Sequence, residues 1–209
     1  MAFKAPSVYP ITDIRLSGLS HAEQVKELIS GGAKLIQLRE KYLAPSEFYR
    51  EAVTALEIAH AHGVQLIIND RVDIALAIKA DGVHLGQGDL PPHAARKILG
   101  EDATIGFSIH NIEQARIALD LPVDYLAVGP IFTTSGKQEP DPVVRLDGLR
   151  RIRAVVNRLP IIAIGGITTE NMREVLNCGA DSVAMISGLL DAGSALTLRM
   201  RKTLAIAEE

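Results

Sequence analysis

The chain has 209 residues, 47% of them hydrophobic and 22% charged, with a formal net charge of -3. That length fits one domain over residues 1–209 with ample core material. The slight acidity argues against nucleic acid as a partner, and no run of 18 apolar residues suggests a membrane span.

The opening MAFKAPSVYPITD does not read as a signal peptide. Cys178 is the single cysteine, so an intrachain disulfide is excluded and a reducing compartment, the cytoplasm, is expected. Val8–Ile11 reads as the first strand. Ser20 with Glu23 then forms a capping-box pattern for a helix. Strand Leu35–Leu38 follows, and Pro45 suits the first turn of the next helix. Strands Gln65–Ile68 and Gly82–His84 come next, then a helix that Gly100 can close. Strand Thr104–Gly106 leads to a helix opened by Asn111 with Gln114. Strands Tyr125–Val128, Ile161–Ile164 and Ser182–Met185 complete the set. Between the last two, Glu170–Cys178 reads as a short helix with Met172, Val175 and Leu176 on one face and Gly179 as its cap. Cys178 reads as buried filler.

Eight strand–helix units in 209 residues is about 26 residues per unit. Several strands are apolar on both faces, as parallel strands covered by helices must be. Strand–helix alternation with right-handed crossovers favours a single compact (β/α)8 TIM barrel. An open doubly wound sheet is the alternative, but its dinucleotide-binding form needs GxGxxG after an early strand, and none is present.

In such a barrel the chemistry lies on the loops after the strands. After the second strand, alternation puts Gln37, Arg39 and Lys41 on one side, where two cations and an amide suit a polyphosphate; a salt-bridged strand end is the plainer reading. Asn69-Asp70 and Asp89 follow the third and fourth strands. The two carboxylates can share a hard cation of the Mg2+ type with substrate phosphates, or they can serve as helix caps. His84 reads as support for the barrel wall, and His110 and His93 carry no assigned role. Ser108 after the fifth strand can meet a phosphate oxygen. The sixth loop, Gly129 to Lys137, is rich in hydroxyls, ends in a cation and is the best place for a lid; its apolar Ile131-Phe132 does not suit a plain surface turn. Gly165-Gly166 and Ile186-Ser187-Gly188 after the last two strands offer backbone N–H groups to a monophosphate.

The runs IQLREK, LIINDRVDIALAIKADGVHLGQGDLP, IGFSIHN, DYLAVGPIF, IIAIGGIT and GADSVAMISG occur in order through nearly the whole chain. Together they resemble the thiamine-phosphate synthase family. The resemblance implies a transferase of thiamine biosynthesis that joins 4-amino-2-methyl-5-hydroxymethylpyrimidine diphosphate to a hydroxyethylthiazole phosphate. The products are thiamine phosphate and pyrophosphate, by a dissociative, Mg2+-assisted course, and a homodimer is the family-level expectation. It further implies that Gln37, Arg39, Lys41 and Asn69 bind the pyrimidine diphosphate and that Asp70 and Asp89 hold Mg2+. Ser108 and Lys137 would meet the leaving pyrophosphate, with Arg39 and Lys41 sharing the charge. Thr134 would line the thiazole side, and Gly166, Ile186 and Ser187 would cradle the thiazole phosphate.

The sixth loop departs from the family's pattern. Thr133 stands where a proline is usual and Gly136 where a second hydroxyl residue is usual, so one phosphate contact is expected either to be lost or to be taken over by Ser135. The rival readings are a thiazole tautomerase on the same barrel, whose members tend to have histidine where this chain has Pro130, and a non-catalytic protein that binds thiamine phosphate.

Overall fold

The structure, a computed structural model, describes residues 3–133, 142–190 and 195–208. Eight parallel strands follow one another around a closed barrel. They are β1 (Val8–Thr12), β2 (Leu35–Leu38), β3 (Gln65–Asn69), β4 (Gly82–Leu85), β5 (Thr104–Ile109), β6 (Tyr125–Val128), β7 (Ile161–Ile164) and β8 (Ser182–Met185). The helices between and after them are α1 (Ile14–Ser17), α2 (His21–Ser30), α3 (Pro45–Ala61), α4 (Val72–Ile78) and α5 (Pro92–Leu99), then α6 (Ile112–Ala118), α7 (Arg145–Val156), α8 (Met172–Asn177), α9 (Ser187–Leu190) and α10 (Leu196–Glu208).

All eight expected strands are present. β1, β3, β4 and β5 run further at their carboxyl ends than the hydrophobic pattern suggests. The reason is that polar strand ends still pair with their neighbours: Asn69 lies opposite His84, and Ser108 opposite Ala127. Polarity there marks the pocket and not the end of the strand.

The period-two alternation of a strand sorts side chains onto two faces. Tyr9, Ile11, Leu35, Ile67, Tyr125, Ile162 and Ala184 form a buried cluster. Their neighbours in sequence, among them Val8, Ile36, Leu66, Ile68, Leu126 and Val183, belong instead to the larger cluster that includes the helices. Phe3 and Ala5 pack against the first cluster, with Phe3 stacked on Tyr125 at a ring separation of 4.8 Å. Gly106 makes room for that tyrosine. A Cβ there would lie 2.0 Å from Tyr125 Cζ.

One device recurs at the amino ends of the strands. Asp81, Asp124 and Asp181 each precede an even-numbered strand, and each accepts the backbone N–H at the start of the strand before it. The acceptors receive Leu66, Ile105 and Ile161 N–H at 2.7 Å. Each carboxylate also takes a cation or imidazole from the helix that precedes that odd-numbered strand: His60 of α3 at 3.0 Å, Arg96 of α5 at 2.8 Å, and Arg153 of α7. These contacts satisfy backbone donors that the barrel rim would otherwise leave open.

Ser20 and Glu23 form the expected capping box on α2. Asn111 accepts from Gln114 N–H, but the Gln114 side chain turns to His110 N–H at 2.7 Å, so that box is only half made. The ring of helices closes where α10 meets α2. Thr197 Oγ1 donates to the Glu27 carbonyl at 3.0 Å, and a Cβ on Gly31 would be 2.5 Å from Met200 Cβ. Cys178 is buried at the end of α8.

Candidate active site at the carboxyl ends of the strands

A cavity of about 300 Å³ opens over the barrel. Its wall includes Gln37, Arg39, Lys41, Asn69, Asp70, Ser108 and Ile186, seven of the residues expected from the sequence. It also includes Gly165 of the expected glycine pair, and residues not expected in the site: Tyr9, Ile11, His84, Gly86, His110, Gly129, Pro130 and the apolar floor of Ala127, Ile162, Ile164 and Ala184. Most are lumen-face strand residues or first loop residues. Continuing the alternation of Tyr9 and Ile11, or of Ile162 and Ile164, would have found them. His84 stands in the barrel wall as expected, where it also lines the cavity, and His110, which had no assigned role, lines it with Nδ1 2.5 Å from the Gly129 carbonyl.

The second loop is held from behind. Arg39 pairs with Asp13 at 2.8 Å, and Lys41 pairs with Asp70. Between them Glu40 turns inward, its side chain almost wholly buried. Glu40 Oε1 accepts Tyr42 N–H at 2.5 Å and Leu43 N–H at 3.0 Å, while Oε2 lies 3.2 Å from His21 Nε2. His21 Nδ1 is in turn 2.7 Å from Thr12 Oγ1. Burial favours the neutral Glu40 acid, but the two N–H groups and His21 outweigh it and hold the carboxyl below its usual value. Burial pushes the His21 imidazole down against the opposing pull of Glu40. The outward alternation of this segment therefore carries a structural carboxylate between two cations that line the cavity, a role the sequence pattern left unassigned.

Asp70 and Asp89 come together as anticipated, and neither is a helix cap. Arg71 and Pro91 occupy the cap positions of α4 and α5 without side-chain cap bonds. Asp70 instead adopts a left-handed backbone at φ 62° and engages Lys41. Asp89 accepts Gly86 N–H at 2.7 Å. Burial raises the Asp89 carboxyl, the Gly86 bond opposes this, and Asp70 raises it further. Two carboxylates repelling each other beside a pocket suit a hard cation. Among the described residues no cluster of three or more acidic, histidine or cysteine ligands exists. Any such ion would need the remaining ligands from substrate or water.

A buried hydrogen-bonded chain crosses the floor. Gln37 Nε2 is 3.2 Å from Tyr9 OH, Tyr9 OH 3.2 Å from Tyr125 OH, Tyr125 OH 3.0 Å from His84 Nδ1, and His84 Nε2 2.9 Å from Ser108 Oγ. Burial pushes both phenols well up and the His84 imidazole down to about 4, so His84 is neutral at physiological pH.

On the far side, Ile131 and Phe132 N–H continue onto β7, bonding the carbonyls of Ile164 and Gly165 at 2.9 and 3.0 Å. Ile131 is fully buried. The apolar start of the sixth loop is thus an anchor. Thr134, Ser135 and Lys137 lie outside the described residues, as does the remainder of the expected lid after Thr133. Gly165 lines the cavity, but the expected Gly166 does not; at φ 66° it packs under the sixth loop, where a Cβ would meet Phe132 Cβ at 2.7 Å. Ser187 begins α9 directly after Ile186 and is not in the cavity wall.

The molecule is thus a (β/α)8-barrel protein with a partly cationic pocket at the carboxyl ends of its strands, lined by Asp70, which interacts with Asp89. Residues 8–189 match the family described as thiamine monophosphate synthase, and the chain belongs to that family. A thiamine-phosphate synthase of Clostridium novyi is 46% identical over 184 residues, covering 88% of this chain and 90% of that protein. One from Chloroflexus aurantiacus is 41% identical over 205 residues, covering 97% and 94%. The solved structure of a thiamine phosphate pyrophosphorylase from Pyrococcus furiosus superposes with a TM-score of 0.87 at 36% identity, over 97% of this chain and 95% of that one.

Proposed function

We infer that this chain is a transferase of thiamine biosynthesis. It joins the hydroxymethylpyrimidine diphosphate to the hydroxyethylthiazole phosphate and releases thiamine phosphate and pyrophosphate. The observation that carries this reading is the match of nearly the whole chain to relatives named for that activity, with Gln37, Arg39, Lys41, Asn69, Asp70 and Ser108 gathered in one cavity. The tautomerase alternative is not favoured: Pro130 stands where those relatives tend to have histidine, and the diphosphate and carboxylate sets are intact.

In the proposed reaction the pyrimidine CH2–O bond breaks, its electron pair leaves with pyrophosphate, and the thiazole nitrogen forms the new C–N bond. Gln37 and Asn69 orient the pyrimidine diphosphate. Arg39, Lys41 and Ser108, with Lys137, neutralise the departing charge, so the protein works by positioning and preorganised electrostatics and needs no strong base. Asp70 and Asp89 would hold Mg2+, which when bound supplies charge to the diphosphate oxygens; the repulsion between the two carboxylates supports that assignment. The thiazole phosphate would lie toward Gly166, Ile186 and Ser187, with Thr134 and Ser135 from the sixth loop. A cytoplasmic location and a homodimer belong to the same proposal.

Incubation with both substrates and Mg2+, read by product mass, distinguishes synthesis from isomerisation or binding alone. Asp89→Asn is expected to cut turnover strongly with little change in thiazole-phosphate affinity. Unchanged turnover at saturating Mg2+ would refute its assignment.

A further inference from the structure

The chain from Gln37 to Ser108 has a direction, and its chemistry sets it. The Gln37 amide nitrogen can only donate, so Tyr9 OH accepts from it. The Tyr9 proton is then available to its other partner, Tyr125 OH, and a Tyr125 hydroxyl that accepts there has its own proton free for His84 Nδ1. An imidazole that accepts at Nδ1 is the neutral Nε2–H tautomer, which would donate to Ser108 Oγ at 2.9 Å. The Ser108 hydroxyl is left with its proton directed elsewhere, and the residue lines the cavity.

We propose that Tyr9, Tyr125 and His84 are positioning residues that form a one-way hydrogen-bond relay, which makes Ser108 a hydrogen-bond donor toward the anionic leaving group. Polarity imposed at Gln37, on one side of the cavity, is thereby delivered to Ser108 on another. Three features hold the relay in place. Tyr9 and Tyr125 are fully buried, Phe3 stacks on Tyr125 from below, and Gly106 leaves space for the Tyr125 ring and hydroxyl. Burial also keeps His84 neutral, as a two-tautomer switch requires. With a reversed relay His84 Nε2 would accept the Ser108 proton, and Ser108 would face an anion with lone pairs only. The functional half of this proposal rests on the assignment of Ser108 to the diphosphate.

The tautomer can be read directly by nitrogen NMR on the full chain labelled with 15N-histidine at pH 8, with His84 assigned by loss of its signals in His84→Gln. The proton is expected on Nε2. In Gln37→Glu the carboxylate can only accept, so the relay should run backwards and the proton should move to Nδ1. Adding Tyr9→Phe cuts the connection, and the double variant should then match Tyr9→Phe alone. A proton on Nδ1 in the parent chain, or an Nε2 proton that ignores Gln37→Glu, overturns the relay. Should Gln37→Glu fail to fold, Tyr125→Phe serves, with a mixture of tautomers expected and an undisturbed Nε2–H overturning the proposal. For the functional half, pyrophosphate binding with Mg2+ is measured by calorimetry. Ser108→Ala and Tyr125→Phe should each weaken it about tenfold, the loss of one hydrogen bond to a charged group, and their combination should add little. Full additivity overturns the coupling. Unchanged binding in Ser108→Ala refutes the Ser108 assignment, while the NMR result still judges the relay.

Discussion

Glu40→Ala tests whether the diphosphate loop is built from behind. The substitution removes the acceptor of Tyr42 and Leu43 N–H and the partner of His21 Nε2. A buried donor left open costs about 1–3 kcal/mol. Tyr42 is half exposed, so water can take over its N–H, whereas Leu43 and His21 are less accessible. Two orphaned donors amount to about 3 kcal/mol. In a chain of this size 1 kcal/mol is roughly 2–4 °C, so the melting temperature should fall by roughly 6–12 °C. Glu40→Gln keeps an oxygen for the two N–H groups and should retain most of that stability. Because Arg39 and Lys41 flank Glu40, KM for the pyrimidine diphosphate should rise several-fold more than KM for the thiazole phosphate in Glu40→Ala. Thermal denaturation of the ligand-free protein and steady-state kinetics read both effects. A melting temperature within about 2 °C of the parent, with both KM values unchanged, would refute the reasoning.

Two further outcomes follow from buried features. Unfolded imidazole takes up its proton near pH 6.5, whereas folded His84 does so only near 4. Across that window the unfolded state binds more protons, so the stabilisation is fully present above pH 6.5 and falls by about 3 kcal/mol as pH drops toward 4. His21, also lowered by burial, adds to the same slope. Urea denaturation at a series of pH values should show this, with a shallower curve for His84→Gln; identical curves would count against it. Among the glycines, Gly106→Ala drives a Cβ into the buried Tyr125 ring and should destabilise by about 3 kcal/mol or more. Gly18→Ala meets open space at φ 71° and should cost only about 1 kcal/mol. Equal losses in the two variants would contradict the packing described around Tyr125.

Much of the candidate site was legible because strand geometry is local. Alternation alone placed Gln37, Arg39 and Lys41 on one side, and the strand–helix order put their loop beside that of Asp70. The same alternation contained Tyr9, Tyr125 and His84, but their apolar surroundings concealed a polar function: a phenol in a hydrophobic run reads as core until its hydroxyl partners are known. Glu40 was hidden for the opposite reason, since a charged residue between two cations reads as part of a solvated strand end. Gly166 shows a third case. Its need for glycine comes from the sixth loop lying against it and its left-handed backbone, whereas Gly165 reaches the cavity.

The residue order by itself determined the eight units, their parallel arrangement and the loops that carry charge, because those follow from periods of two and 3.6 and from short connections. Only the tertiary structure decided which hydroxyl faces which imidazole, which carboxylate meets a cation and which supports a backbone loop. Those choices depend on contacts between residues as far apart as Tyr9 and Tyr125, brought within 3.2 Å by closure of the barrel.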